Sequence, residues 1–330
     1  MAGRRLSPRQ WERIRATQDR RARVTHADTT TSGLEPTQPG LILTGFGTGW
    51  IVESDVGKLF RCTARSNLTT PVCGDRVAWQ AHGAEEGVIV AVEPRRSLLA
   101  RPGHGGRSKP IAANLDQLAV IVAPRPEPNE FLIDRYLIAA VAMDLDAFLV
   151  VNKVDLLDPG GVEAIRARFG VFQRIGYPLL FASTRGAHGL DDLRARLGGR
   201  VSILVGQSGV GKSSLAKALL PDRDIRVQAL SAATGRGLHT TTSATLYHLS
   251  SGGDLIDSPG VSGFELGDVD LPTLEQGFVE FRPHLGRCQF GDCSHGVEPG
   301  CAIRRAVEEG AIAARRLESF RRLQAVLRSQ

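Results

Sequence analysis

Gly206-Gln207-Ser208-Gly209-Val210-Gly211-Lys212-Ser213 is the stretch on which the reading of this chain turns. It fits G-x-x-x-x-G-K-[ST]. The apolar run Val201–Val205 precedes it and the helical run Ser214–Leu220 follows, the strand-to-helix setting that the motif requires. Its glycines let backbone N–H groups curl around phosphate oxygens at a helix N-terminus, where the dipole favours anions. Lys212 is expected to reach the β- and γ-phosphates, and the Ser213 hydroxyl to ligate Mg2+. Only five of the 41 basic residues are Lys, so a Lys inside a motif stands out.

Upstream, the runs Leu118–Val122, Ala147–Val151 and Pro178–Phe181 are short and fully apolar, as strands covered on both faces are. Helical stretches alternate with them: Glu130–Met143, Val162–Phe169 and Gly189–Leu197. The pattern predicts a doubly wound α/β domain. Before it, Gly49–Glu53, Leu59–Cys62, Arg76–Trp79 and Gly87–Val92 are rich in β-branched and aromatic residues and separated by Gly, Asn and Pro. They predict a small OB-like β-barrel, either an RNA-binding face or a plain module with core aromatics. Residues 26–40 read as a linker. The expected division is arm and linker 1–40, barrel 41–110, α/β domain 111–270, and a Cys/His-bearing helical domain 271–330 that ends in a helical stretch, Ala302–Arg328.

A phosphate loop alone does not choose the base. Asn152-Lys153-Val154-Asp155 follows the run Ala147–Val151 at its C-terminal end, where α/β domains place ligands. The Asp155 carboxylate can accept from guanine N1–H and the exocyclic amine. Adenine lacks that donor pair, which leaves a buried acceptor unpaired at a cost of roughly 1–3 kcal/mol. Asn152 and the Lys153 stem are expected to support and cover the base, and Ser183-Thr184 to meet it from the far side, although such residues also serve as helix caps. Asp257-Ser258-Pro259-Gly260 supplies a carboxylate for the Mg2+ surroundings and, in Gly260, an N–H for the γ-phosphate. The GTP-binding set is therefore Asn152, Lys153, Val154, Asp155, Ser183, Thr184 and Gly206 through Ser214.

Near the C-terminus Cys288, Cys293, His295 and Cys301 fall within fourteen residues. Three thiols and an imidazole make a closed tetrahedral zinc set, one ion per chain; buried free thiols beside a surface His are the alternative. Cys62 and Cys73 read as free. Charge is local as well. Residues 1–25 carry eight Arg against Glu12 and Asp19, and the remaining chain balances 33 basic with 33 acidic residues. Such an arm suits a polyanion, or is a solvated terminus; a transit peptide fits less well with its acidic residues. No apolar run approaches the ~18 residues of a membrane span, and no apolar h-region follows the arm, so a cytoplasmic chain with no membrane partner is expected.

The motif order is unusual: the guanine segment comes first, then the phosphate loop, then Asp257–Gly260. With this order, the barrel and the Cys/His tail, the chain resembles the circularly permuted, small-ribosomal-subunit-dependent GTPases of bacteria (the RsgA, or YjeQ, family). The resemblance covers roughly residues 40–325. It implies a GTPase that binds the 30S subunit and its 16S rRNA late in maturation and turns over faster when bound. It also implies zinc at Cys-x-x-x-x-Asp-Cys-x-His followed by Glu-Pro-Gly-Cys, matched here by Asp292 and Glu298–Gly300. His239 matches the family's water-positioning histidine, in a chain where Val261 follows Gly260 in place of a Gln. Lys212, Gly260 and His239 thus form the expected catalytic set, and Thr241 of the first switch segment, with Ser213 and Asp257, the magnesium set. The segment after Gly260 leads into the Cys/His tail, which suggests that hydrolysis moves the tail. A monomer is expected. A GTP-regulated RNA-binding switch with little turnover, or a P-loop kinase or ATPase, are the competing readings.

Overall fold

The computed structural model describes residues 36–102, 108–186, 188–220, 243–258 and 269–328. The arm, His239, Thr241, Gly260 and Val261 lie outside the described residues.

Strands β1 (Thr37–Phe46), β2 (Gly49–Ser54), β3 (Leu59–Ala64), β4 (Arg76–Ala81) and β5 (Glu86–Val92) form a barrel in the order β1-β2-β3-β5-β4, closed by the pairing of β1 with β4. Closure removes the exposed edges that a sheet of this size would otherwise present. Ile42, Val52, Val77, Trp79 and Ile89 fill it, and the Phe60 ring lies 4.4 Å from that of Trp79. The first strand begins at Thr37, inside the stretch expected to be linker. Its Thr, Gln, Pro and Gly residues resemble a linker in isolation and become strand by pairing with β4 from Thr37 to Leu41.

A hairpin of β6 (Leu98–Pro102) and β7 (Ser108–Ala113) leads to the α/β domain. Here β8 (Gln117–Val122), β9 (Asp146–Val151), β10 (Leu179–Phe181), β11 (Val201–Val205) and β13 (Asp254–Asp257) run parallel in the order β10-β9-β8-β11-β13. Period-two alternation sends Leu118, Val120 and Val122 to one face, under α1 (Glu130–Ala142) and α2 (Pro159–Arg174). Ala119 and Ile121 face the other, under α3 (Leu190–Leu197) and α4 (Lys212–Leu219). The order reverses between β8 and β11, so the crevice for a ligand opens at their C-terminal ends. Among the described residues no helix is long and apolar enough to cross a membrane.

The C-terminal module packs α5 (Leu271–Gly277), a 3-10 turn (Val279–His284), α6 (Ala302–Glu308) and α7 (Ala314–Arg328) around Leu274, Phe278, Phe281, Ile303 and Phe320. The expected helical end Ala302–Arg328 is therefore two helices. Gly310, at φ 76°, turns the chain between them, and its N–H donates to the Val307 carbonyl.

Antiparallel β12 (Thr245–His248) joins barrel to α/β domain, with β13 on one side and β1 on the other. Thr44 pairs with Thr245, and the Thr44 hydroxyl donates to the Ala244 carbonyl at 3.0 Å. At the far end of the strand, His248 lies between two carboxylates. Its Nε2 is 2.6 Å from Glu53 of the barrel and its Nδ1 is 2.6 Å from Asp254. Both ring nitrogens donate, so the imidazolium is favoured. The Asp254 and Glu53 bonds raise His248 to about 10, against a burial effect of opposite sign. Because the folded value lies above the ordinary 6.5, the stabilisation is complete below about pH 6.5, falls as pH rises and is gone above about 10. At this half-exposed site solvent screening reduces it to about 1 kcal/mol. We expect His248→Gln to lower unfolding free energy by about that amount at pH 6, with wild type and variant converging by pH 10, as read from denaturant melts across that range.

Candidate active site and metal centre

Three loops meet at the sheet switch point: Ala123–Asn129 after β8, Asn152–Leu157 after β9 and the phosphate loop after β11. Gly206 sits at φ 143°, and a Cβ there would come within 2.2 Å of the Ile121 carbonyl. Gly211 caps α4 in the left-handed region at φ 95°, where a Cβ would lie 2.3 Å from Asn152 Nδ2. Any side chain at either position would push the loop off its neighbouring strand end. The helix begins at Lys212, two residues before the expected Ser214, which brings Lys212 and Ser213 into its first turn. Lys212 Nζ folds back to the carbonyls of Gly206 and Gln207, both at 2.7 Å. Burial lowers Lys212 below the ordinary lysine value, while the charge of Asp257, at the end of β13, opposes the shift. An arriving phosphate would act in the same direction as Asp257.

The guanine segment is built onto this loop. Asn152 is 1 % exposed, and its Nδ2 donates to the Val210 carbonyl at 2.9 Å. Its Oδ1 is buried and has no protein partner. Lys153, in the left-handed region at φ 60°, sends Nζ across the loop to the carbonyls of Gly209 and Arg125. Both side chains, expected to support and cover the base, also brace the phosphate loop. Asp155 lies in a 3-10 turn, Val154–Leu156, and its carboxylate accepts from the Ser183 hydroxyl. That hydroxyl also accepts the Arg185 N–H at 3.0 Å, and the Arg185 guanidinium is 4.0 Å from Asp155. Ser183 therefore orients the carboxylate that would read the base, and exposed Thr184 flanks it. Sequence reasoning missed the support from Asn129, whose backbone N–H donates to Gln207 Oε1 at 2.9 Å. The available signal was Pro128-Asn129-Glu130, an N-cap pattern opening α1.

The tail residues Cys288, Cys293, His295 and Cys301 converge, with all four donor atoms within 4.8 Å of one another. His295 Nδ1 lies 3.6, 3.7 and 3.4 Å from the sulfurs of Cys288, Cys293 and Cys301, and the Cys288 and Cys301 sulfurs are 4.0 Å apart. A tetrahedral ion bound at about 2.3 Å to sulfur and about 2.0 Å to nitrogen would separate its ligands by about 3.5–3.8 Å, so the set fits one metal ion. Burial raises the Cys293 thiol to about 12 and lowers His295, both against charge formation; a cation would reverse the thiol preference. Supporting contacts surround the cluster. His295 Nε2 faces Glu275 at 3.5 Å, the Ala302 N–H donates to the Cys288 sulfur at 3.4 Å, and Arg321 donates to the His295 carbonyl at 2.8 Å. Glu298 accepts the backbone N–H groups of Ser294 and Gly296 at 2.9 and 2.8 Å, pinning the turn that carries His295. Cys62 and Cys73 are buried, free and remote from this centre in the fold; burial raises both, and the Cys73 sulfur lies 3.2 Å from the Leu43 carbonyl.

The RsgA GTPase family profile matches residues 92–267. The chain is 46 % identical to a small ribosomal subunit biogenesis GTPase RsgA of Hahella chejuensis, over all of this chain and 98 % of that protein. It is 48 % identical to the protein of the same description from Pseudomonas aeruginosa strain LESB58, covering 98 % of this chain and 97 % of the relative. Among solved structures it resembles YjeQ from Thermotoga maritima, with TM-score 0.73 and 31 % identity over 89 % of this chain and 99 % of that one. It also resembles YloQ, a circularly permuted GTPase, with TM-score 0.71 and 27 % identity over 91 % and 98 % of the two chains. With a barrel, a phosphate loop braced by an upstream guanine segment, and a Cys/His centre in the permuted order, this chain belongs to the RsgA family of circularly permuted GTPases.

Proposed function

We propose that the protein binds the 30S subunit through 16S rRNA late in its maturation and hydrolyses GTP to GDP and phosphate, faster when so bound. The observation that carries the nucleotide reading is the seating of Asn152 and Lys153 on the phosphate loop, which joins a guanine-reading carboxylate to a phosphate cradle. In this reading Asp155, oriented by Ser183, takes the guanine N1–H and amine. Backbone N–H groups of residues 209–214 and Lys212 would hold the phosphates, and Ser213, Asp257 and Thr241 would hold Mg2+, which would supply charge neutralisation to the transferred group. His239 places the water for in-line attack on the γ-phosphorus. The bond to the β,γ-bridging oxygen breaks, and GDP leaves with the bonding electron pair. Gly260 would offer its N–H to the γ-phosphate. Val261 cannot orient water, so that task falls to His239, with stimulation by the subunit completing the arrangement.

The Cys/His centre is assigned one zinc ion, held by Cys288, Cys293, His295 and Cys301 with no position left for a substrate water. The Arg-rich arm, barrel and zinc module are taken as the rRNA-gripping parts of a cytoplasmic monomer, with the barrel beginning at Thr37 rather than at residue 41 and the later divisions at 110 and 270.

Phosphate release from GTP, measured alone and with added 30S subunits, should rise at least tenfold with the subunit; no rise with GTP bound would favour a passive switch. His239→Ala should abolish most of that rise while leaving GTP affinity intact, and unchanged stimulated turnover would remove the water-positioning role. Asp155→Asn should weaken GTP binding about five- to 150-fold, as follows from roughly 1–3 kcal/mol, without changing weak ATP binding in a fluorescent-GDP displacement assay. Metal analysis should return one zinc per chain, lost in Cys301→Ser together with the near-ultraviolet signal of the C-terminal aromatics.

A further inference from the structure

Helix α1 is buried on two sides, and each side meets a different functional part. Ile133, Tyr136, Leu137 and Ala140 pack into the sheet core. The Tyr136 phenol oxygen faces the backbone N–H of Gly206, and the Asn129 cap holds Gln207, so the start of the phosphate loop rests on this helix. At 100° per residue, Asp134 projects from the opposite side to Tyr136. There Ile138 presses on α5, where a Cβ on Gly277 would lie 2.8 Å from it, and the Arg322 guanidinium stacks over Phe131 at 4.4 Å.

Asp134 is fully buried between two guanidiniums of α7: Arg316 Nη1 at 2.5 Å and Arg315 Nη1 at 3.2 Å. Arg316 is also fully buried, and its remaining nitrogens bind Glu280 at 2.5 and 3.0 Å. Resting on the GTPase reading above, we propose that Asp134 is a positioning residue for the nucleotide site: through α1, the grip of Arg315 and Arg316 fixes the pose of the phosphate loop, so that seating of the zinc module and nucleotide occupancy control one another.

The physical reason is that this joint has no cheap intermediate position. Lifting the module would leave the Asp134 carboxylate buried without its cations, so α1 must shift with it or hold it down. A helix packed tightly along both sides transmits such a shift to Asn129 and Tyr136 as a body. Coupling of this kind is reciprocal: if the module affects nucleotide affinity, nucleotide must affect the module equally. The route is separate from the segment following Gly260.

The test uses the full-length, zinc-loaded chain and hydrogen exchange over residues 271–328, with and without saturating GDP, occupancy being followed separately with fluorescent GDP. GDP should slow exchange in α5 and α7 by about fivefold in wild type, and by less in Tyr136→Phe. Asp134→Asn and Arg315→Gln should each speed fluorescent-GDP release by about fivefold at unchanged zinc content. The double variant Asp134→Asn/Arg315→Gln should release GDP no faster than the faster single variant, because the two substitutions break one grip, whereas independent packing roles would add. Identical exchange with and without GDP at full occupancy, or unchanged release in Arg315→Gln, overturns the proposal, even if Asp134→Asn does not fold. Failure of wild type to bind GDP would overturn the nucleotide site itself.

Discussion

A buried carboxamide holds together two loops that the chain separates by 58 residues. Asn152 Nδ2 reaches the Val210 carbonyl beside Gly211, where a Cβ would lie 2.3 Å from that nitrogen. Lys153 adds a second strap to Gly209 and Arg125. This constraint makes the permutation workable. Base reading and phosphate binding need proximity, not chain order, and parallel strands β9 and β11 on either side of β8 supply it.

Permutation also leaves the site with appendages at both ends of the α/β domain, and each is joined by a buried or half-buried polar device. The barrel continues the central sheet through the β1–β12 bridge and the His248 imidazolium. The Cys/His module is held by Arg316, desolvated but ringed by Asp134, Glu280 and the Phe278 face at 4.4 Å. Removing one partner of such a buried pair costs about 3–5 kcal/mol, because it strands the other charge away from water. The Arg316 joint is therefore specific in geometry, whereas the half-exposed His248 joint adds only a modest preference.

The Cys/His centre shows a similar economy of parts. Four ligands alone do not fix a geometry; the Glu298 carboxylate, Arg321 and Glu275 orient the turn and the imidazole. His295 occupies a left-handed conformation, φ 59°, which a non-glycine residue holds only when its surroundings determine it.

The sequence by itself determined the chemistry. The glycines and Lys of the phosphate loop, the Asn-Lys-x-Asp segment and the Cys/His spacing are local patterns whose residue types admit few other uses. It also determined the alternation of strands and helices, because strands covered on both faces must be continuously apolar. Only the tertiary structure decided what depends on distant neighbours. Thr37–Gly40 became strand through β4, and Ser183 became the holder of Asp155. Asn152 and Lys153 became braces of the phosphate loop. Asp134, an ordinary acidic residue to any periodicity argument, became the buried pivot between two modules. Its role rests on two arginines 181 and 182 residues away, and no local pattern encodes a pairing at that range.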